Sequence, residues 1–300
     1  MSSVPIAATS GQRAIATPHP RRRTVRRGIV LAYAALAALS AAVLLPLSWM
    51  LTAALKPAGV PVFTVPPAWF PTDHWAWDNF RRALFDEGAP FARYALNSLV
   101  IVVGTIVGTM VSCAPVAYAF ARLRFRGRDV LFNVLIVTML IPWQSLIIPQ
   151  FLIYHRIGWY GTFLPLIVPS WFGTAFSIFL IRQYMRTFPR DLDDAARIDG
   201  AGYFRIFWDI ILPLSRPVLV VASVFTFLGS WSDLLGPLIY LDRNEMFTVA
   251  VGLANMVQRF GTEWNLVMAA NLVAILPVLV VYYFAQDKLI GGIASVGLKG

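Results

Sequence analysis

Six apolar runs, near residues 29–53, 96–121, 130–154, 163–182, 218–240 and 265–286, constrain this sequence more than any other feature. About 20 residues of α-helix, at roughly 1.5 Å each, cross the roughly 30 Å hydrocarbon core of a bilayer, so each run is long enough to span it. Lipid offers the backbone no hydrogen-bond partner, which leaves the helix as the form that runs of this length adopt there. The sequence therefore predicts an all-α, polytopic membrane protein with about six transmembrane helices. Composition agrees, with 58% of the 300 residues hydrophobic and 13% charged, against about 25% charged in a soluble domain. The first run outlasts the roughly 7–15-residue core of a secretory signal. It continues to Trp49 and Met50 and is read as an uncleaved span.

The net charge of +10 is sorted along the chain rather than gathered into one patch. Of the 25 Lys and Arg residues, 18 fall in the N-terminal segment, the 122–128 loop, the 182–217 loop and the C-terminus, and 7 in the intervening loops. The positive-inside rule places the first set, and with it both termini, on the cytoplasmic side of the cell membrane. Charge explained as topology leaves no basis for a nucleic-acid partner. Residues 1–27, rich in Ser, Thr, Pro and Arg, are expected as a disordered basic cytoplasmic tail, and 28–300 as one transmembrane domain. A single cysteine, Cys113, excludes an internal disulfide, and His19, His74 and His155 lie too far apart in sequence to suggest a metal site. Pro115, Pro142, Pro149, Pro165, Pro169, Pro237 and Pro277 break or kink the runs, and kinked backbone belongs against other helices or an aqueous path. The 56–95 loop, with Pro57, Pro61, Pro66, Pro67 and Pro71 beside Trp69, Trp75 and Trp77, suggests an irregular segment at the membrane interface. Gly104, Gly108 and Ser112 form a smooth strip suited to close helix packing.

The 182–217 loop is too long for a turn and is strongly patterned. Asp191, Asp193 and Asp194 follow Pro189, where negative charge favours a helix start, and Gly200 is placed to end that helix. Phe204, Phe207, Trp208 and Ile211 then recur at the spacing of one buried helical face, up to Pro213. Two short helices are expected, and helices of about ten residues are marginal unless they pack against something. The aromatic face of the second is expected to dock beneath the spans. Ala195 and Ala196, flanked by Leu192, give the first a low ridge that another protein's groove could approach.

Asp194-Ala195-Ala196, three residues, Gly200, nine residues, then Ile210-Ile211-Leu212-Pro213 resembles the EAA loop of permease subunits from binding-protein-dependent ABC importers. The leading glutamate of that pattern is Asp194 in this sequence. IPWQSLIIPQFLIY at 141–154, IGWYGTFLPLIVP at 157–169, FLGSWSDLLGPLIYL at 227–241 and the ending GGIASVGLKG resemble the maltose-type, carbohydrate branch, with Val296 where the family usually has glycine. The resemblance covers about residues 28–300. It implies a type I importer permease fold and an ATPase-coupling role for Asp194, Ala195, Ala196, Gly200, Ile210, Leu212 and Pro213. It also implies a second permease subunit, two ATPase subunits that hold ATP and magnesium, and an extracytoplasmic solute-binding protein.

The residues themselves agree with that division of labour, since no G-x-x-x-x-G-K-[ST] phosphate loop occurs and no cofactor is expected on this chain. Polar groups at membrane depth are candidates for the translocation path, foremost Trp231, Ser232 and Asp233, then Gln144 and Asn271. Asp233 has a second reading as the cap of a helix break before Gly236-Pro237, and Gln144 and Asn271 as interhelical hydrogen-bonding groups. No paired carboxylates or nucleophile-base set falls at membrane depth, so no catalytic residues are assigned and the chain is expected not to be an enzyme. An ion-coupled secondary transporter, suggested by the kinks and Asp233, is the alternative function, and a membrane-embedded enzyme a more distant one.

Overall fold

The computed structural model describes residues 22–71, 73–86, 90–259 and 263–297. Most of the tail expected at 1–27, and the last three residues of the 291–300 ending, lie outside the described residues. Contacts divide the chain into two units, Met1–Trp49 and Met50–Gly300. The first consists of most of helix α1 (Arg22–Ala54), which begins inside the stretch expected to be disordered, so residues 22–27 are helical. Its side chains from Gly28 to Pro46 are all exposed, as suits a helix whose apolar surface faces lipid.

The second unit continues with α2 (Asp78–Phe85), α3 (Phe91–Arg122), α4 (Arg128–Thr138) and α5 (Ile147–Arg156). Helix α6 (Leu164–Ile167) runs through a 3-10 turn, Val168–Phe172, to α7 (Ala175–Met185). Then come α8 (Asp191–Ile198), α9 (Tyr203–Arg205), a π-helical turn Ile206–Ile211, α10 (Leu212–Leu214), α11 (Arg216–Trp231), α12 (Leu235–Tyr240), α13 (Val249–Arg259) and α14 (Trp264–Gly297). No strand occurs among the described residues. Four helical stretches are long and apolar enough to cross a membrane, Gly28–Ala54, Phe91–Arg122, Leu164–Met185 and Trp264–Lys288. Two bent pairs, Arg128–Thr138 with Trp143–Arg156 at 88° and Tyr203–Leu214 with Arg216–Trp231 at 73°, bring the number to six if each pair is one span.

The prolines separate into two groups. Pro115 and Pro277 lie inside uninterrupted helices, α3 and α14, whereas Pro142 stands at the 88° bend and Pro165 and Pro169 in the α6–α7 junction. The apolar run at 130–154 is therefore two helices at a right angle rather than one rod. The run at 218–240 also differs from the expected single span, because α11 stops at Trp231 and a new helix starts at Leu235.

Helix α3 is the central rod, packed along its length on α7, α11 and the 168–172 turn. The small-residue strip makes the last of these contacts. A Cβ on Gly104 would meet Ile167, one on Gly108 would collide with Trp171 and Ser170, and Ser112 Oγ donates to the Ser170 carbonyl at 3.1 Å. With side chains at Gly104 and Gly108 the 167–171 segment could not lie this close, so the glycines permit the junction that the prolines create.

At the end opposite the 182–217 loop, asparagine amides supply the donors that helix ends lack. Asn79 Nδ2 donates to the Ala54 and Lys56 carbonyls, both at 2.8 Å, Asn265 Nδ2 to Lys56 O at 3.2 Å, and Asn97 Nδ2 to Glu245 O and Phe247 O at 2.8 and 2.9 Å. This knot encloses Lys56, which is 1% exposed and whose ammonium donates to Val62 O at 3.3 Å. Burial lowers its pKa from the usual 10.5.

Two expectations follow. Gly108→Leu should lower the unfolding midpoint in detergent by the equivalent of about 1–3 kcal/mol, the usual cost of overpacking, and an unchanged midpoint would refute the close approach of Trp171. Because the folded chain binds the Lys56 proton less tightly than the unfolded chain, stability should rise with pH in the window just below 10.5. Comparing unfolding of the wild type and Lys56→Met across that window isolates the effect, since the variant should show a shallower rise.

Candidate coupling site

Helix α8 is eight residues long, too short to persist alone, so its anchoring decides whether the 182–217 loop has a shape. Local sequence starts it well, with Asp191, Asp193 and Asp194 in the first turn and Arg197 in the last, each of the sign the helix dipole favours. Its end is a Schellman motif. Gly200 adopts φ +80°, its N–H bonds the Arg197 carbonyl at 3.0 Å, and the Ala201 N–H bonds the Ala196 carbonyl at 2.9 Å. Open space surrounds the Gly200 Cα, so the glycine is required by backbone handedness rather than by packing.

The anchor is Arg122, the last residue of α3. Its guanidinium donates to the carbonyls of Phe188 and Pro189, both at 2.8 Å, where α7 hands over to α8, and pairs with Asp193 Oδ2 at 2.6 Å. Both side chains are nearly dry, 3% and 8% exposed. Arg122 Nε and Asp193 Oδ1 have no hydrogen-bond partner among the described residues. Sequence reasoning missed this pair, treating Asp193 as a dipole charge and Arg122 as topology. The available signal was an arginine at the junction of an apolar run with the loop, opposite a cluster of three aspartates.

With Asp193 and Ala196 turned inward, α8 presents Leu192, Asp194, Ala195 and Ile198 outward, Ile198 at 88% exposure. The expected low ridge of Ala195 and Ala196 is thus corrected. Ala196 packs into the core, and the exposed apolar strip is Leu192, Ala195 and Ile198, at three-residue steps. Asp194 flanks it, 3.8 Å from Arg197.

The second helix differs from its expected face for a definable reason. Over Ile206–Ile211 the backbone is π-helical, with i→i+5 hydrogen bonding, so the buried set is Ile206, Phe207 and Ile211. Phe204 and Trp208, expected beside them, are exposed. Phe207 packs on Tyr118 of α3 at 5.1 Å between ring centroids, and the Tyr118 hydroxyl donates to Tyr203 O at 3.2 Å. Ile210 and Leu212 are partly buried against the same cluster, which includes Cys113, Ala117, Ile181 and Met185. Pro213 precedes the 73° bend at Ser215, whose hydroxyl donates back to Ile211 O at 2.7 Å. The loop is therefore a folded lever fixed to α3 and α7 and joined to α11 through a bend.

The translocation-path candidates do not converge. Trp231 is a core residue whose indole N–H donates to Ala274 O of α14 at 3.1 Å, Ser232 is exposed, and Asp233 Oδ1 accepts the Gly236 N–H at 3.1 Å as the cap of α12. Asn271 donates to Val267 O of its own helix rather than across an interface, and Gln144 is exposed at the 88° bend.

The described residues thus form an all-helical membrane domain with a folded amphipathic element on its 182–217 loop. The chain belongs to the family of inner membrane components of binding-protein-dependent transport systems, whose pattern matches residues 104–294. It is 34% identical over 229 residues, 75% of this chain and 79% of the relative, to the arabinooligosaccharides transport system permease protein AraQ of Bacillus subtilis. It is 30% identical over 276 residues, 90% and 89% of the two chains, to the diacetylchitobiose uptake system permease protein NgcG of Streptomyces coelicolor. Its fold is similar to a chain of a bacterial ABC transporter that imports alginate, with TM-score 0.76 and 23% identity over 90% of this chain and 99% of that one. The chain is thus an ABC importer permease subunit, a transport component and not an enzyme, and the ion-coupled alternative is not supported.

Arg122→Ala should strand a buried carboxylate and cost about 3–5 kcal/mol of stability, while Arg122→Met with Asp193→Leu should recover most of it. Unfolding midpoints of the single and paired variants measure both, and equal losses would show that the pair is not an anchor.

Proposed function

We propose that this subunit forms half of a pathway that carries a carbohydrate or carbohydrate-like solute inward across the cytoplasmic membrane, with a second, different permease subunit completing it. Its relatives' names, for arabinooligosaccharides and diacetylchitobiose, support the solute class. The basic loops support cytoplasmic termini and a cytoplasmic 182–217 loop. An extracytoplasmic solute-binding protein delivers the cargo, and two ATPase subunits bind ATP and magnesium. Asp194, Ala195, Ala196, Gly200, Ile210, Leu212 and Pro213 form the coupling element. Trp231, Asp233 and Asn271 hold helices and their breaks through hydrogen bonds, while Ser232 and Gln144 are exposed, and these five remain the candidates for the translocation path.

The observation that carries this reading is the exposed strip of Leu192, Ala195 and Ile198 on a helix fixed from behind by Arg122. An ATPase groove closing on that strip would move α3 and α7 with it, a domain-level switch in which binding energy is released as rotation of the spans. Asp194 sits beside the strip with a shorter reach than glutamate, suited to a nearby cation of the groove.

Gly200→Val, which puts a β-branched residue at a left-handed φ, should abolish solute uptake in cells while leaving membrane insertion intact. Asp194→Lys should do the same and also reduce copurification of the ATPase in detergent. Undiminished uptake in both variants would overturn the coupling role.

A further inference from the structure

A second basic feature, distinct from the Arg122 anchor, surrounds the short connection between α3 and α4. A polar pocket of about 600 Å³ opens there, lined by Arg124, Phe125, Gly127, Arg128, Val130 and Arg190, with Asp129 as its one carboxylate. Asp129 is already taken by Arg128 Nε at 3.0 Å. The side chains of Arg124 and Arg190 make no ion pair or hydrogen bond among the described residues. Arg182 and Arg186 stand near enough to act on the charge of Asp129, and Arg182 is itself held with its guanidinium 3.6 Å over the Phe132 ring. The neighbourhood therefore carries a surplus of positive charge that the protein does not neutralise, and the exposed first turn of α4 adds the positive end of a helix dipole.

We propose that this pocket binds the phosphodiester headgroup of an anionic membrane phospholipid, held between Arg124 and Arg190. Position selects lipid over the other anions. The pocket lies where Phe91–Arg122, long and apolar enough to cross a membrane, meets Arg128–Thr138, which passes that criterion together with Trp143–Arg156, and the basic loop between them belongs by the positive-inside rule at the cytoplasmic interface, where lipid phosphates lie. Phe125 and Val130 line the same pocket with exposed apolar surface, which suits the glycerol and upper acyl region of a lipid and offers nothing to a soluble phosphate. Arginine matches a phosphodiester through its planar fork of donors. Arg190 immediately precedes the first residue of α8, so a bound headgroup would bridge the α3–α4 connection to the lever.

The test uses the full chain purified in a zwitterionic detergent and titrated with phosphatidylglycerol, with retention read by native mass spectrometry. Phosphatidylcholine and excess inorganic phosphate serve as the competing arms. The wild type should retain phosphatidylglycerol against both. Arg124→Gln with Arg190→Gln should weaken retention about thirtyfold, two surface arginines' worth of attraction, with an unchanged unfolding midpoint. Arg124→Lys with Arg190→Lys should keep most of it. Equal retention by the Gln pair, equal loss by the Lys pair, or displacement by inorganic phosphate alone would overturn the proposal. So would loss of ATPase copurification in the Gln pair with lipid retention intact, which would turn this face toward a protein. The lipid-retention readouts depend neither on which solute is carried nor on coupling through α8.

Discussion

The guanidinium of Arg122 closes three separate chain segments around one point, the end of α3, the Phe188-Pro189 turn after α7, and Asp193 in the first turn of α8. Each partner alone would be weak. An eight-residue helix does not persist in water, and a dehydrated carboxylate or guanidinium is costly unless paired. Together they give a lever whose inner face is fixed and whose outer face, Leu192, Ala195 and Ile198, is free for another protein. Remove the pair and the exposed strip keeps its residues but loses the frame that would transmit a push.

The same rule, that polar backbone leaving a helix must find a partner, explains the irregular places elsewhere in the chain. Asn79 and Asn265 close the chain around Lys56, Asn97 holds the 245–247 backbone, Asp233 caps the restart at α12, and Ser215 stabilises the bend where the lever becomes α11. Trp231, Asp233 and Asn271, polar groups within or beside apolar runs, thus each have a structural hydrogen bond. The glycine strip on α3 serves the same purpose in reverse, letting the 168–172 turn lie close enough to be covered.

Much of this was legible in the sequence. Apolar run length marked the spans because the bilayer sets that length, and the end of α8 was visible in Gly200 because a left-handed cap leaves few other choices. What was hidden depended on information no local pattern carries. Phe207 and Ile211 are buried as their spacing predicted, but the π-helical turn puts Ile206 beside them in place of Phe204 and Trp208, and a 3.6-residue period cannot anticipate that shift. The inward turn of Ala196 and the Arg122–Asp193 pair, 71 residues apart, follow from tertiary placement. The backbone partner of Trp231, Ala274 O, also follows from placement that no local pattern carries.

The central claim is that α8 moves as one body with α3 and α7. Spin labels at Ala195 on α8 and Gln183 on α7 of the assembled transporter, followed by pulsed electron resonance through ATP binding and hydrolysis, measure this directly. The account predicts one narrow distance distribution that stays fixed through the cycle and broadens in Arg122→Ala. A distribution that shifts with nucleotide in the wild type would contradict it, because the lever would then be sliding on the spans instead of carrying them.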